Sequence, residues 1–365
     1  MAKLKEIIGN LEQLAHPSLQ ESYDNSGLII GNPDIEVTGV IVCLDSTPEV
    51  IQEAVERGCN VVIAHHPIIF SGLKKINGKN YIERTVMQAI KNDIAIYAIH
   101  TNLDNVSHGV NGEICRQLGI TETRVLSPKS GILNKIVVFV PNDHKDKVLD
   151  AMFLAGAGCI SDYGECSFQL DGTGSFKAGD NSKPFVGEKN VRHYEQEVRV
   201  EVIALASKRE SILKAAKASH PYEEMAYDVY SLHNLTDDVG SGMIGKLIEP
   251  LSSVEFLKLL KNKMKTSVVR HTTLTTDLIH VVAVCGGSGS FLIDDAISNG
   301  ADILVTADLK YHQFFDADSR IILADIGHYE SEQFTIQLLH NRIAEKFTTF
   351  ATHLSGVNTN PVLYF

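Results

Sequence analysis

The chain has six cysteines and no C-x-x-C pair among them. Thiolate zinc sites need clustered ligands, so a zinc ribbon is not expected. Cys43, Cys59, Cys115, Cys159, Cys166 and Cys285 sit mostly in apolar runs, which reads as buried free thiols in a reducing compartment. No apolar run approaches the ~18 residues of a membrane span. Cationic excess is also lacking: 33 Lys and Arg stand against 45 Asp and Glu, for a net charge of −12. Sequence-independent binding to a phosphate backbone relies on basic side chains displacing counterions, so nucleic acid is disfavoured as a partner. In "MAKLKEIIGNLEQL", Leu4, Ile7, Ile8, Leu11 and Leu14 share one helical face and the charges are interspersed. That describes a folded first helix rather than a signal peptide, and a cytoplasmic protein is expected.

With 365 residues the chain is long enough for two or three domains. "TGVIVCLD" reads as a strand and "STPEVIQEAVERG" as a helix, capped by Ser46 or Thr47, with Pro48 in its first turn and Gly58 as its stop. "NVVIAHH" is the next strand, completing a parallel βαβ unit. The unit recurs: residues 42–66 lie over residues 284–308 without a gap, Cys43 on Cys285, Ala54 on Ala296 and Gly58 on Gly300. An internal duplication is the simplest account. Between the copies the order is β-α-β-β-α-β over about 100 residues, the ferredoxin-like arrangement. The expected fold is therefore α/β. A duplicated βαβ core domain takes 1–129 and 236–365, and an inserted ferredoxin-like α+β domain takes 130–235.

Ligands bind at the carboxyl ends of parallel strands, where loops leave a polar-rimmed crevice. Three predicted strand ends carry metal-type side chains. One ends in His65 and His66, a second leads to His100 and Asp104, and a third leads to His328 and Glu332. His328 and Glu332 are four residues apart on a predicted helix and share a face. Taken singly, each has an ordinary alternative: a capping or hydrogen-bonding histidine, a turn-opening Asp104, a solvated Glu332. Adjacent residues on a strand also point to opposite faces, so His65 and His66 converge only if the chain turns before Pro67. With His100 set apart, the three histidines and two carboxylates suit Zn, Fe, Mn, Co or Ni, with zinc favoured. Five ligands exceed one open site and suit two divalent ions about 3.5–4 Å apart. "GGSGS" at 286–290, between strand and helix, could cradle a phosphate or simply make a tight turn.

The stretches "SYDNSGLIIG", "VVIAHHPIIF", "IHTNLDNVSHGVN", "VAVCGGSGS", "ILVTADLKYHQ" and "DIGHYESE" resemble the Nif-three-like dinuclear metal proteins, also called GTP cyclohydrolase I type 2 homologues. The resemblance implies that His65, His66, Asp104, His328 and Glu332 hold two divalent ions, and that the chain forms a toroidal homohexamer, a dimer of trimers being one arrangement. "AGAGCISDYGECSF" and "SHPYEEMAYDVY" are similar to the PII/CutA-like insert of longer bacterial members. The family name implies a hydrolase that opens the GTP imidazole ring and releases formate, making GTP the candidate small-molecule substrate. His100, His312 and Asp308 are then the candidates for acid–base work. The alternative is a non-enzymatic metal-binding or regulatory ring, or a partner-binding protein.

Overall fold

The computed structural model describes residues 2–160 and 163–365. Ser161 and Asp162, within "AGAGCISDYGECSF", lie outside the described residues. The chain divides into two compact units, Met1–Pro128 with Thr236–Phe365, and Lys129–Leu235.

The discontinuous unit contains two sheets. In the first, strands Ala351–Leu354, Gly39–Cys43, Val61–Ala64 and Ala95–Ala98 run parallel, and Gly27–Ile30 closes the edge antiparallel. In the second, Leu278–Ser288, Ile303–Ala307 and Ile322–Asp325 are parallel, flanked by antiparallel Arg270–His271 on one side and by Gly240–Ser252 and Ile120–Pro128 on the other. Successive residues of a strand face opposite ways, and the sequence uses both faces. Val40 and Val42 join one core cluster while Ile41 and Cys43 join another. Burial on both sides explains why these strands read as unbroken apolar runs.

The larger core cluster takes one face of each sheet and five helices: Leu4–Leu14, Thr101–Asp104, Val110–Leu118, Ser253–Lys263 and Thr335–Lys346. Leu4, Ile7 and Leu11 of the first helix are fully buried in it, as the apolar stripe requires. Each such side chain contributes about 1.5–3 kcal/mol by leaving water. Helices Pro48–Glu56 and Tyr81–Lys91 cover the far face of the first sheet. Thr47 is the cap of Pro48–Glu56, its side chain accepting from the Val50 N–H.

The two βαβ stretches share a register. Val40 pairs with Val61 and Val42 with Ile63; Val282 pairs with Ile303 and Val284 with Val305. Their helices end alike, with Gly58 at φ +68° and Gly300 at φ +72°, the left-handed conformation that only glycine adopts freely.

The unit Lys129–Leu235 is built on one antiparallel sheet in the order Phe168–Lys177, Arg192–Leu205, Leu133–Pro141, Tyr227–Leu232. Helices Lys145–Leu154 and Arg209–Ser219 pack on one face through Val148, Met152, Ile212 and Ala216. "DGTGSFK", which reads as loop or hairpin tip because of its glycines, continues the strand Phe168–Lys177. Of the cysteines, four are buried, Cys166 is half-buried and Cys159 is exposed; all six are free.

Candidate metal centre

The strand Val61–Ala64 ends one residue before His65. The His65 and His66 amides bond to the carbonyls of Cys43 and Leu44, at 3.1 and 2.9 Å, as the chain leaves the sheet. Both rings therefore turn the same way, with centroids 4.9 Å apart. Asp104 ends the short helix Thr101–Asp104, just beyond strand Ala95–Ala98. His328 and Glu332 bound their own short helix, His328–Glu332, which the sequence reads as continuous with Thr335–Lys346 but which is separate from it. The carboxyl ends of both sheets thus deliver side chains to one place.

There the donor atoms converge in three overlapping groups: His65, His66 and His100; His66, His328 and Glu332; His65, Asp104 and Glu332. Within each group one ligand atom per residue lies within 4.8 Å of the others. His66 Nε2 is 3.0 Å from Glu332 Oε2 and 3.4 Å from His328 Nε2. His328 Nε2 is 3.1 Å from the same Glu332 oxygen. His65 Nε2 lies 3.6 Å from Asp104 Oδ1 and 3.8 Å from Glu332 Oε2.

The far nitrogen of each ring is held. His65 Nδ1 donates to the Ile99 carbonyl at 2.8 Å, which leaves a lone pair on Nε2. His66 Nδ1 bonds Asp45 Oδ1 at 2.8 Å, His328 Nδ1 bonds Asp308 Oδ2 at 2.7 Å, and His100 Nδ1 bonds Asp24 Oδ1 at 2.7 Å. Carboxylate and carbonyl partners of this kind fix tautomer and ring direction in metal sites. Thr359 extends the support outward, its hydroxyl donating to Asp45 Oδ2 at 2.7 Å.

His65 Nε2 and Asp104 Oδ1 are buried and have no hydrogen-bond partner. Buried polar atoms are nearly always paired, so a donor set with two orphans facing inward fits a cation. The charges agree. Burial works against a charged imidazole, yet Asp45 and Glu332 push His66 up to about 10. Glu332 and Asp308 likewise push His328 up to about 11 against burial. Asp104 rises to about 7 through burial and then the Glu332 charge. Glu332 itself, although buried, is held well below the usual range by His328 and the other imidazoles. The cluster is electron-rich, draws protons onto His66 and His328, and would lose them to solvent when a cation took their place.

Gly287, at φ +60°, makes room: a Cβ there would lie 2.5 Å from Glu332 Oε1. The Gly286 and Gly287 amides are already taken, donating to Asn111 Oδ1 and Ser331 Oγ at 2.9 Å each. Gly287 thus serves close packing against Glu332, and these two amides are spent on protein partners.

The other sequence candidates separate. Asp308, at φ +57°, supports His328, and His100 joins the first donor group. His312 contacts the Tyr311 and Phe315 rings and belongs to none of the groups. Asp45 and Thr359 escaped sequence reading, because nothing in their neighbours' spacing marks them. A cavity of about 200 Å³ opens on the cluster, lined among others by Tyr23, His100, Asp104, Phe291 and Glu332. A larger one of about 490 Å³, lined by His271, Tyr311 and Phe315 among others, contains none of the clustered residues.

The family model described as Duf34/NIF3 (NGG1p interacting factor 3) matches residues 2–361. A Halalkalibacterium halodurans protein named "GTP cyclohydrolase 1 type 2 homolog" is 36% identical over 369 residues, covering 100% of this chain and 99% of that one. A Bacillus subtilis protein of the same name is 35% identical, covering 99% and 98%. Among solved structures, a Bacillus cereus protein related to NIF3 superposes with a TM-score of 0.84 at 36% identity, covering 100% of this chain and 99% of its own. On this full-length match, the chain belongs to the Duf34/NIF3 family.

Proposed function

We propose that the protein holds two divalent cations and acts as a metal-dependent hydrolase on GTP or a related purine nucleotide. One water would open the imidazole ring at C8 to a formamide, and a second would release formate. The observation that carries this reading is the three overlapping donor groups with two buried orphan atoms. His65, His66 and Glu332 belong to two groups each, an overlap that suits paired ions. When bound, such a pair supplies Lewis acidity and makes water a nucleophile at neutral pH. The chain's own residues do the rest. His65, His66, Asp104, His328 and Glu332 bind the ions, with His100 as either a sixth ligand or the proton carrier. Asp24, Asp45 and Asp308 keep the rings aimed. Tyr23 and Phe291 offer aromatic surface beside the cluster for a planar base. The relatives' printed name supports the substrate class.

The same reading takes zinc as the favoured ion, a homohexameric ring as the assembly and a cytoplasmic setting. It takes residues 130–235 as a ferredoxin-like insert, supported by their β-α-β-β-α-β order and fully antiparallel sheet.

A second reading, a metal-holding protein without catalysis, is favoured by one observation. Among the described residues, no lysine or arginine lines the cavity on the cluster, so a triphosphate would find no basic side chain there. Formate release from GTP by metal-loaded protein, together with metal content, separates the two. Formate that disappears in His66→Ala supports the hydrolase. Stoichiometric metal without formate leaves only the second reading, and failure to retain metal overturns both.

A further inference from the structure

The motif "SHPYEE", which the metal centre does not use, builds a second site in the unit Lys129–Leu235. His220 closes the helix Arg209–Ser219 and spends both ring nitrogens on the backbone. Its Nε2 donates to the Phe139 carbonyl at 2.9 Å, and its Nδ1 accepts from the Tyr222 amide at 3.0 Å. Burial lowers its proton affinity, so it stays neutral and keeps both bonds. Pro221 lies between these anchors. The turn is rigid, and it sets the Tyr222 ring against the sheet.

Two more rings stand around Tyr222. Phe176, from strand Phe168–Lys177, has its centroid 6.1 Å away with an interplanar angle of 59°. Phe185, from the following loop, is at 6.2 Å and 46°. The loop is pinned by the Lys183 amide donating to Glu223 Oε2 at 2.8 Å. Between the rings opens a cavity of about 330 Å³. Its charged lining is Glu197, Glu223 and Glu224 against Lys177 alone, a net negative wall. Glu197 projects from the sheet face opposite the helices, across Gly174, where a Cβ would lie 2.1 Å from its Oε2. The Tyr222 hydroxyl is buried and faces Glu197; burial, and then the hydrogen bond and charge of Glu197, hold its proton more tightly.

We propose that these groups form a cage for a small organic cation of the alkylammonium class. Aromatic faces attract a cation through their quadrupole, and quaternary ammonium groups are the ligands that such cages hold. Three rings at more than one tilt enclose a roughly spherical head group, the carboxylates supply opposite charge, and the cavity is large enough for a group of this size. An inorganic cation would need a closer oxygen shell than three rings allow. The cage lies within one unit and does not depend on the metal reading.

The test is calorimetric titration of full-length, metal-loaded protein with choline and with its uncharged carbon isostere, dimethylbutanol. Choline should bind at least about tenfold more tightly than the isostere. Phe176→Leu, which keeps apolar bulk but removes the ring, should weaken choline about tenfold, and Glu197→Gln severalfold. Tyr222→Leu should abolish binding; should it fail to fold, the other two variants decide. Equal binding of the isostere would mark a merely apolar pocket and overturn the proposal. So would unchanged choline affinity in Phe176→Leu and Glu197→Gln, or no choline binding at millimolar concentration.

Discussion

The two βαβ stretches of the discontinuous unit share strand register and helix-ending glycines, yet they serve the candidate centre in opposite ways. The first ends in His65 and His66, which point donor atoms inward. The second ends in Ala307 and Asp308, and Asp308 only steadies His328. The same inversion occurs one strand earlier. Asp45 after the first strand holds His66, while its counterpart Gly287 has no side chain and so admits Glu332. One scaffold carries the donor pair and one support in its first copy, and a support and clearance in its second. A shared backbone sets where side chains can stand, and the residues at the strand ends divide the labour.

The comparison breaks most sharply at the candidate ligands. Glu332→Gln or His65→Ala should lower divalent-metal affinity by more than the roughly 10–100-fold typical of an outer partner, as read by competition with a chelator. Loss confined to a few-fold would mean that the donor groups do not act together. Next come the supports. Asp45→Asn and Asp308→Asn should each cost about 10–100-fold in metal affinity, because each removes the anion that aims one imidazole. Unequal losses would show that one side matters more than the geometry implies. The smallest effects belong to the shared backbone. Gly58→Ala and Gly300→Ala should each destabilise by about 1 kcal/mol, since both positions are left-handed and neither Cβ meets a neighbour. Matching shifts in melting temperature would sharpen the equivalence, and a large difference would blur it.

The donor cluster was legible in outline because imidazoles and carboxylates recur at three predicted strand ends, and those residues do converge. The convergence of His65 and His66 was not settled by periodicity, since a strand would part them. The strand stops at Ala64, which a dipeptide before Pro67 only hints at. His100 was noticed as a proton carrier, but its distance to His65 and His66 is a tertiary fact. Asp45 and Thr359 were invisible: they meet across most of the chain, and a lone acid before a helix cap reads as an ordinary turn residue. The "GGSGS" run showed the opposite weakness. Its composition left a phosphate cradle and a tight turn both open, and only the tertiary structure shows Asn111 and Ser331 occupying two of its amides. Local pattern reveals which side chains are available; partners hundreds of residues away decide how they are used.

The donors come from positions 65 to 332, on both sides of an intervening unit. Translation runs from the amino end, so the histidine pair emerges long before the glutamate that completes two of the three donor groups. A chain halted anywhere in between carries a partial grip with its strongest anion missing. Under the proposed function, cation capture would mark a finished chain, and truncated or half-folded copies should stand out by their failure to retain an ion.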